Sequence, residues 1–298
     1  MLRAVSLLTL GLLAPALLAA PVPRAGKPQL LVVTADAKSG KSRLVLVNGD
    51  GSDPKELTDD KSNASYPAWS PDGKRIAFAS DREGGVMQVF VMDADGANVK
   101  QLTAEAQPSR VPSWSGDGKR VAFCRAGQFG GSEVVAADAD GKNAETVGEG
   151  DGWDPAFSPD GKRIAFVSTR SGGGFKLFAM DADGKNVDKL CDEPNTLGFA
   201  YPAWSPDGKK IAFGHLVKGV LELHVIDADG KNLTRVTDFG GMSAYPAWSP
   251  DGKKLAFVQY KGTGKAEVVV ADPDGKNPKA VLKDVTPVEG GRPAWRPK

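Results

Sequence analysis

Apolar residues in this chain alternate with polar or small ones over runs of four to seven positions, and each run ends in a cluster of Pro, Asp, Gly, Asn or Lys. A period of two over so short a run predicts a β-strand with one buried face. Residues 66–103 contain one complete unit, with strands expected at Tyr66–Ser70, Arg75–Ser80, Val86–Met92 and Val99–Thr103. Pro71-Asp72-Gly73-Lys74 separates the first two strands: Pro presets φ, and Gly accepts the positive φ of a tight hairpin. Asp93-Ala94-Asp95-Gly96-Ala97-Asn98 separates the last two, with equivalents at 138–143, 181–186, 227–232 and 272–277.

The phrase Tyr66-Pro-Ala-Trp-Ser-Pro-Asp-Gly-Lys-Arg-Ile-Ala-Phe78 returns at 111–123, 154–166, 201–213 and 245–257, and in shortened form at 292–298. Its aromatic anchors are Trp69, Trp114, Phe157, Trp204, Trp248 and Trp295, spaced 43 to 47 residues apart. Four strands in such a period make a propeller blade. Strands this short cannot bury a core alone, so their apolar faces must pack on neighbouring blades. The anchors are expected to fill the space between sheets, each contributing about 2 kcal/mol by burial and costing about 3–5 kcal/mol if truncated. Segments 29–34, 42–47 and 55–58 read as the second to fourth strands of a blade, and 293–295 as its missing first strand. The sequence therefore predicts an all-β, six-bladed propeller over 29–298, closed by its two terminal fragments in one sheet.

The first twenty residues differ in kind. Arg3 is followed by a mostly apolar run from Ala4 to Ala20 that ends in small residues, the pattern of a signal peptide. Residues 1–20 are thus expected to be removed and 21–28 to form a short lead-in. The mature chain is expected in the periplasm or medium, with no stable membrane insertion and no lipid tether. The 38 basic and 37 acidic side chains nearly cancel, which argues against nucleic acid as a partner. Cys124 and Cys191 are the only cysteines and are expected to be free thiols. Ring closure within one chain requires no second copy, so a monomer is expected.

Catalytic patterns are weak. No Gly-x-Ser-x-Gly elbow occurs, and the two histidines, His215 and His224, fall in one repeat, His215 in an expected loop and His224 in a strand. The Asp-x-Asp-Gly turns lack the spacing of an EF-hand, and Lys38-Ser-Gly-Lys-Ser42 lacks the first glycine of a phosphate loop. No cofactor or metal is expected, and a non-enzymatic role is favoured. The two tight hairpins of each blade must share one rim, leaving the variable loops, among them 81–85, 125–131, 169–174, 215–219 and 238–245, on the other. Loops can vary without disturbing a core, so that second rim is the expected recognition surface. Tyr66, Trp153, Asp154, Phe199, Tyr201, Phe239, Tyr245 and Arg292 lie near the entries to the innermost strands and are expected to line the mouth of the central channel. Arg125, Arg170 and Lys218 are opposed there by Asp81, Glu83 and Asp192, so a polyanion site is not compelled.

The repeated Tyr-Pro-Ala-Trp-Ser-Pro-Asp-Gly-Lys phrases closely resemble the TolB-like propeller repeat, also described as a WD40-like (PD40) beta-propeller repeat, over about residues 29–298. The resemblance implies a bacterial envelope protein that binds other envelope proteins or peptides. Related propellers precede the catalytic domain of prolyl-oligopeptidase-like peptidases or hold a histidine-rich metal site in oligogalacturonate lyases. The alternative reading is therefore a carbohydrate- or peptide-binding propeller with lyase-like activity.

Overall fold

The structure, a computed structural model, describes residues 27–298 apart from 37, 128–129, 193–199 and 263. The expected signal peptide lies outside the described residues. Six four-stranded antiparallel sheets make up the fold. The second blade, numbered along the chain, is typical, with Ala64–Trp69 innermost, then Arg75–Ser80, Gln88–Asp93 and Lys100–Gln101. The third to sixth blades repeat it from Ser109–Trp114, Trp153–Phe157, Ala203–Trp204 and Ser243–Trp248. No helix occurs among the described residues.

The first blade is assembled from both ends of the array. Ala294–Trp295 pairs with Gln29–Ala35, which continues through Ser42–Asn48 to Lys55–Glu56. Arg296 secures the join: its main-chain N–H donates to Gln29 O at 2.9 Å, and its guanidinium bonds Gly73 O and Gln29 Oε1 while lying 5.0 Å over the Trp69 ring.

Outer strands are shorter than the alternation predicts because a side chain replaces part of the ladder. Thr103 ends the expected strand Val99–Thr103, yet pairing stops at Gln101, and the Thr103 hydroxyl accepts the Val89 N–H at 2.9 Å and donates to Gln88 Oε1. Thr58 and Thr237 take the Leu44 and Leu223 N–H groups in the same way.

Between blades, the anchors do more than fill volume. Trp69, Trp114, Trp204 and Trp248 each donate Nε1–H, at 3.0–3.2 Å, to an innermost-strand alanine carbonyl of the preceding blade. Phe157 has no such donor, and there the Phe157 main-chain N–H bonds the Ser113 hydroxyl instead. The inner hairpin turns share one device: in the second blade Ser70 Oγ donates to Asp72 Oδ1 and accepts the Arg75 N–H. Those aspartates are thus folded into their own turns.

Candidate partner site on the propeller axis

Each innermost strand carries an X-Pro pair just after its entry, and X is Tyr66, Val111, Asp154, Tyr201, Tyr245 or Arg292. Proline disfavours helical geometry in the residue before it. In five of the six the backbone is instead left-handed, with φ from 45° to 60° at Tyr66, Val111, Asp154, Tyr201 and Tyr245. The strand register slips there in the second, third, fourth and sixth blades, a bulge that re-aims the side chain. Non-glycine residues with positive φ cost about 1–3 kcal/mol each and gather at functional sites.

Those side chains meet on the axis. Tyr66, Val111, Tyr201 and Tyr245 form one buried cluster although they come from the second, third, fifth and sixth blades. Tyr245 Oη donates to Tyr201 Oη at 3.2 Å, and the two rings lie 4.1 Å apart. The connection before the last strand folds over them: Gly290 N–H donates to Tyr245 Oη, Gly290 O accepts the Tyr66 N–H, and Tyr66 Oη donates to Glu289. Arg110 pairs with the same Glu289 at 2.8 Å. This group plugs the axis at the level where the sequence suggested an open, lined mouth.

Asp154 is buried in this plug, and its Oδ2 has no hydrogen-bond partner. Burial pushes its carboxyl up to about 7, opposed by the Tyr201 N–H and by the charge of Arg292. Burial also raises the tyrosine hydroxyls and lowers Arg292. No ion pair within 4.0 Å joins Asp154 and Arg292. The nearby Cys124 thiol is pushed up to about 11 by burial and is in no disulfide.

On the other side of the plug the channel widens into a cavity of about 490 Å³. Its rim is made by the inner hairpin turns through Pro71, Pro159, Pro206 and Pro250, with Gly116 in the third blade and Pro297 just after the final strand, and its wall by the alanines and indole edges of the innermost strands. Pro71, Pro159 and Pro206 are exposed at the opening. Gly116 is fitted to its place, since a Cβ there would stand 1.9 Å from Pro159 O. The axial cavity thus opens on the rim of repeated turns, opposite the variable loops.

Of the eight residues singled out from sequence, Tyr66, Asp154, Tyr201, Tyr245 and Arg292 converge on the axis. Trp153 instead meets Phe175 edge-on at 4.9 Å in the core between the fourth and fifth blades. Phe239 stacks on Phe257 at the sixth blade. Phe199 lies outside the described residues. Val111 escaped notice because an apolar residue in that column carries no chemical signal, and the rim prolines because they read only as turn formers. On the variable rim the arginines are engaged: Arg170 lies 4.9 Å over Phe166 and bonds Ser168 and Asp151, while Arg125 pairs with Glu105 and Glu133.

The histidines differ from expectation. His215 is not in a loop: the strand Lys210–Val217 runs on to a two-residue turn at Lys218-Gly219, whose φ values are both positive. His215 and His224 are buried side by side, rings 5.0 Å apart. No group of three or more His, Cys, Asp or Glu arranged to hold a metal occurs among the described residues.

Six four-stranded blades closed around one axis, with these repeated turns on one rim, define a β-propeller. The TolB beta propeller domain family (PD40) matches the chain over residues 19–150, 86–198 and 194–281, and the chain belongs to that family. Among solved structures it is similar to TolB from Acinetobacter baumannii, with 25% identity, a TM-score of 0.75, and coverage of 91% of this chain and 67% of that one. It is also similar to a putative TolB from Agrobacterium tumefaciens, with 20% identity, a TM-score of 0.70, and coverage of 91% and 98%. A 59-residue stretch is 48% identical to dipeptidyl-peptidase 5 of Porphyromonas gingivalis, spanning 19% of this chain and 9% of the peptidase. No described helix is long and apolar enough to cross a membrane.

Proposed function

We propose that this chain is an exported TolB-like propeller without enzymatic activity that binds a protein partner of the bacterial envelope, and that it does so at the axial cavity. The chemistry of the cavity wall carries the reading. Prolines offer no N–H, and the carbonyls of Ala68, Ala156, Ala203 and Ala294 already accept indole N–H groups. The hydroxyls of a carbohydrate would lose water there with few partners in return, whereas apolar protein side chains find proline rings and indole edges. The only titratable side chains in the lining are Arg292 and Lys298, which do not make an acid–base pair for proton transfer. Export is supported by the apolar run after Arg3 and by the family the chain belongs to.

The test is cross-linking in intact cells followed by affinity capture. Pro71 and Pro206 stand on opposite blades at the cavity rim, so Pro71→Trp/Pro206→Trp narrows the opening without touching a core residue. Glu83→Trp/Lys261→Trp on the variable rim serves as control. Capture of one reproducible envelope protein should survive the control and fall at least about ten-fold in the rim variant. Equal capture by both, or no specific partner across several salt and detergent conditions, overturns the reading.

A further inference from the structure

The inner end of the cavity has a sign. Its two charged lining residues, Arg292 at the inner end and Lys298 near the rim, are both cations. Around the opening, Asp72, Asp117, Asp160, Asp207 and Asp251 stay ionised on the serine hydroxyls of their own turns, each beside the turn lysine two positions on, and Asp251 also faces Lys298, so the rim charges nearly cancel and Arg292 is left as the cation of the inner end. Arg292 differs from Arg296, four residues on. Arg296 spends its guanidinium on Gly73 O, Gln29 Oε1 and the Trp69 face. Arg292 makes one long hydrogen bond, 3.4 Å from Nη2 to Pro202 O, and remains partly exposed at the cavity's inner end. Its nearest counter-charge, Asp154, sits inside the plug without reaching ion-pair distance, and is itself partly neutralised by burial.

A planar guanidinium with open donors, at the bottom of a pocket walled mainly by proline rings, alanines and indole edges, suits a carboxylate better than any other common protein group. The mainly apolar walls strengthen that attraction relative to water. We propose that the axial cavity recognises an acidic segment of the partner protein, one Asp, Glu or C-terminal carboxylate binding Arg292 while neighbouring apolar side chains pack on the rim prolines. This inference rests on the cavity being the partner site, and adds the chemical class that fills it.

The experiment selects a random pool of soluble hexapeptides on the immobilised full chain and sequences what is retained. Parallel selections use Arg292→Gln and Arg292→Lys, with thermal unfolding checking that each variant is folded. Asp, Glu or free C-terminal carboxylates should be enriched on the native protein, and a selected acidic peptide should bind about ten-fold or more tightly than its Asn, Gln or C-terminal amide counterpart. The preference should vanish in Arg292→Gln, return in part in Arg292→Lys, and weaken with salt. Should Arg292→Gln fail to fold, Arg292→Lys and the acid-versus-amide comparison on native protein decide the matter. Equal affinity for acid and amide peptides, no enrichment of acids, or an acid preference retained in folded Arg292→Gln overturns the proposal. Free glutarate forms the second arm: stabilisation of the native chain by glutarate without any acidic peptide enriched assigns the site to a small carboxylate and overturns the peptide assignment. Continued capture of the envelope partner by Arg292→Gln at native level would remove the acidic segment while leaving the cavity as partner site.

Discussion

Asp154 occupies a column of the repeat in which three other blades place tyrosine, and there its charge has little to balance it. Groups facing it are the Tyr201 N–H, the hydroxyls of Tyr66, Tyr201 and Tyr245, the Cys124 thiol and the Arg292 guanidinium. Because its folded value of about 7 exceeds that of an ordinary carboxyl, the folded state holds more protons between about pH 4 and 7. Stability contributed by this group is therefore full below pH 4, falls as pH rises to about 7, and is flat above. Replacing Asp154 with Asn should remove that slope, leaving a variant that gains on the native chain by up to a few kcal/mol at pH 8 relative to pH 4. Urea unfolding midpoints across pH 4–8 measure it, and an identical slope in both proteins would show that Asp154 does not titrate in this range. The column itself was legible in the sequence as the residue before each proline. Its burial was not, because tyrosine, aspartate and arginine serve an open mouth as readily as a closed plug.

Turns carry the lesson at the scale of the element. Gly96, Gly141, Gly184, Gly230 and Gly275 each follow an Asp in the outer hairpin, and a positive φ explains them from sequence alone. The structure adds a second requirement: a Cβ on Gly275 would lie 1.9 Å from Val236 O of the preceding blade, and one on Gly96 2.7 Å from Leu57 O. Gly84 has a comparable φ of 71° but open space around it. Gly84→Ala should cost about 1 kcal/mol for backbone strain alone, and Gly275→Ala at least twice as much, because the neighbouring main chain must also move. Chemical denaturation of the two variants compares them, and equal losses would reduce Gly275 to a simple turn residue. The first blade also hides its outer turn from a sequence pattern. In the others an Asn amide donates to the Asp five residues earlier, as Asn98 does to Asp93, whereas here Asn48 donates to Asp53 at the same 2.6 Å. The two partners are exchanged, and the geometry is kept.

For the whole molecule, closure is the controlling feature. The final strand pairs at Leu30 and Leu31, and Arg296 ties it to two blades. Arg296→Ala should lose about 1–3 kcal/mol, from charge-assisted hydrogen bonds and a cation lying over Trp69. Removing residues 292–298 should lower the stability of all six blades together, seen as one transition at a lower urea midpoint. Loss confined to the first blade, detected by hydrogen exchange, would show that the ring does not depend on its seam. The sequence by itself determined the number of blades, the strand alternation within each, the chemistry of the inner turns and the sheet in which the array closes. All of these follow from short-range patterns repeated in register. Only the tertiary structure decided that the axial residues form a plug, that the cavity opens among the repeated turns, and that Arg292 is its inner cation. Those contacts join residues 44 to 223 positions apart, and how six sheets pack about a common axis sets whether they meet.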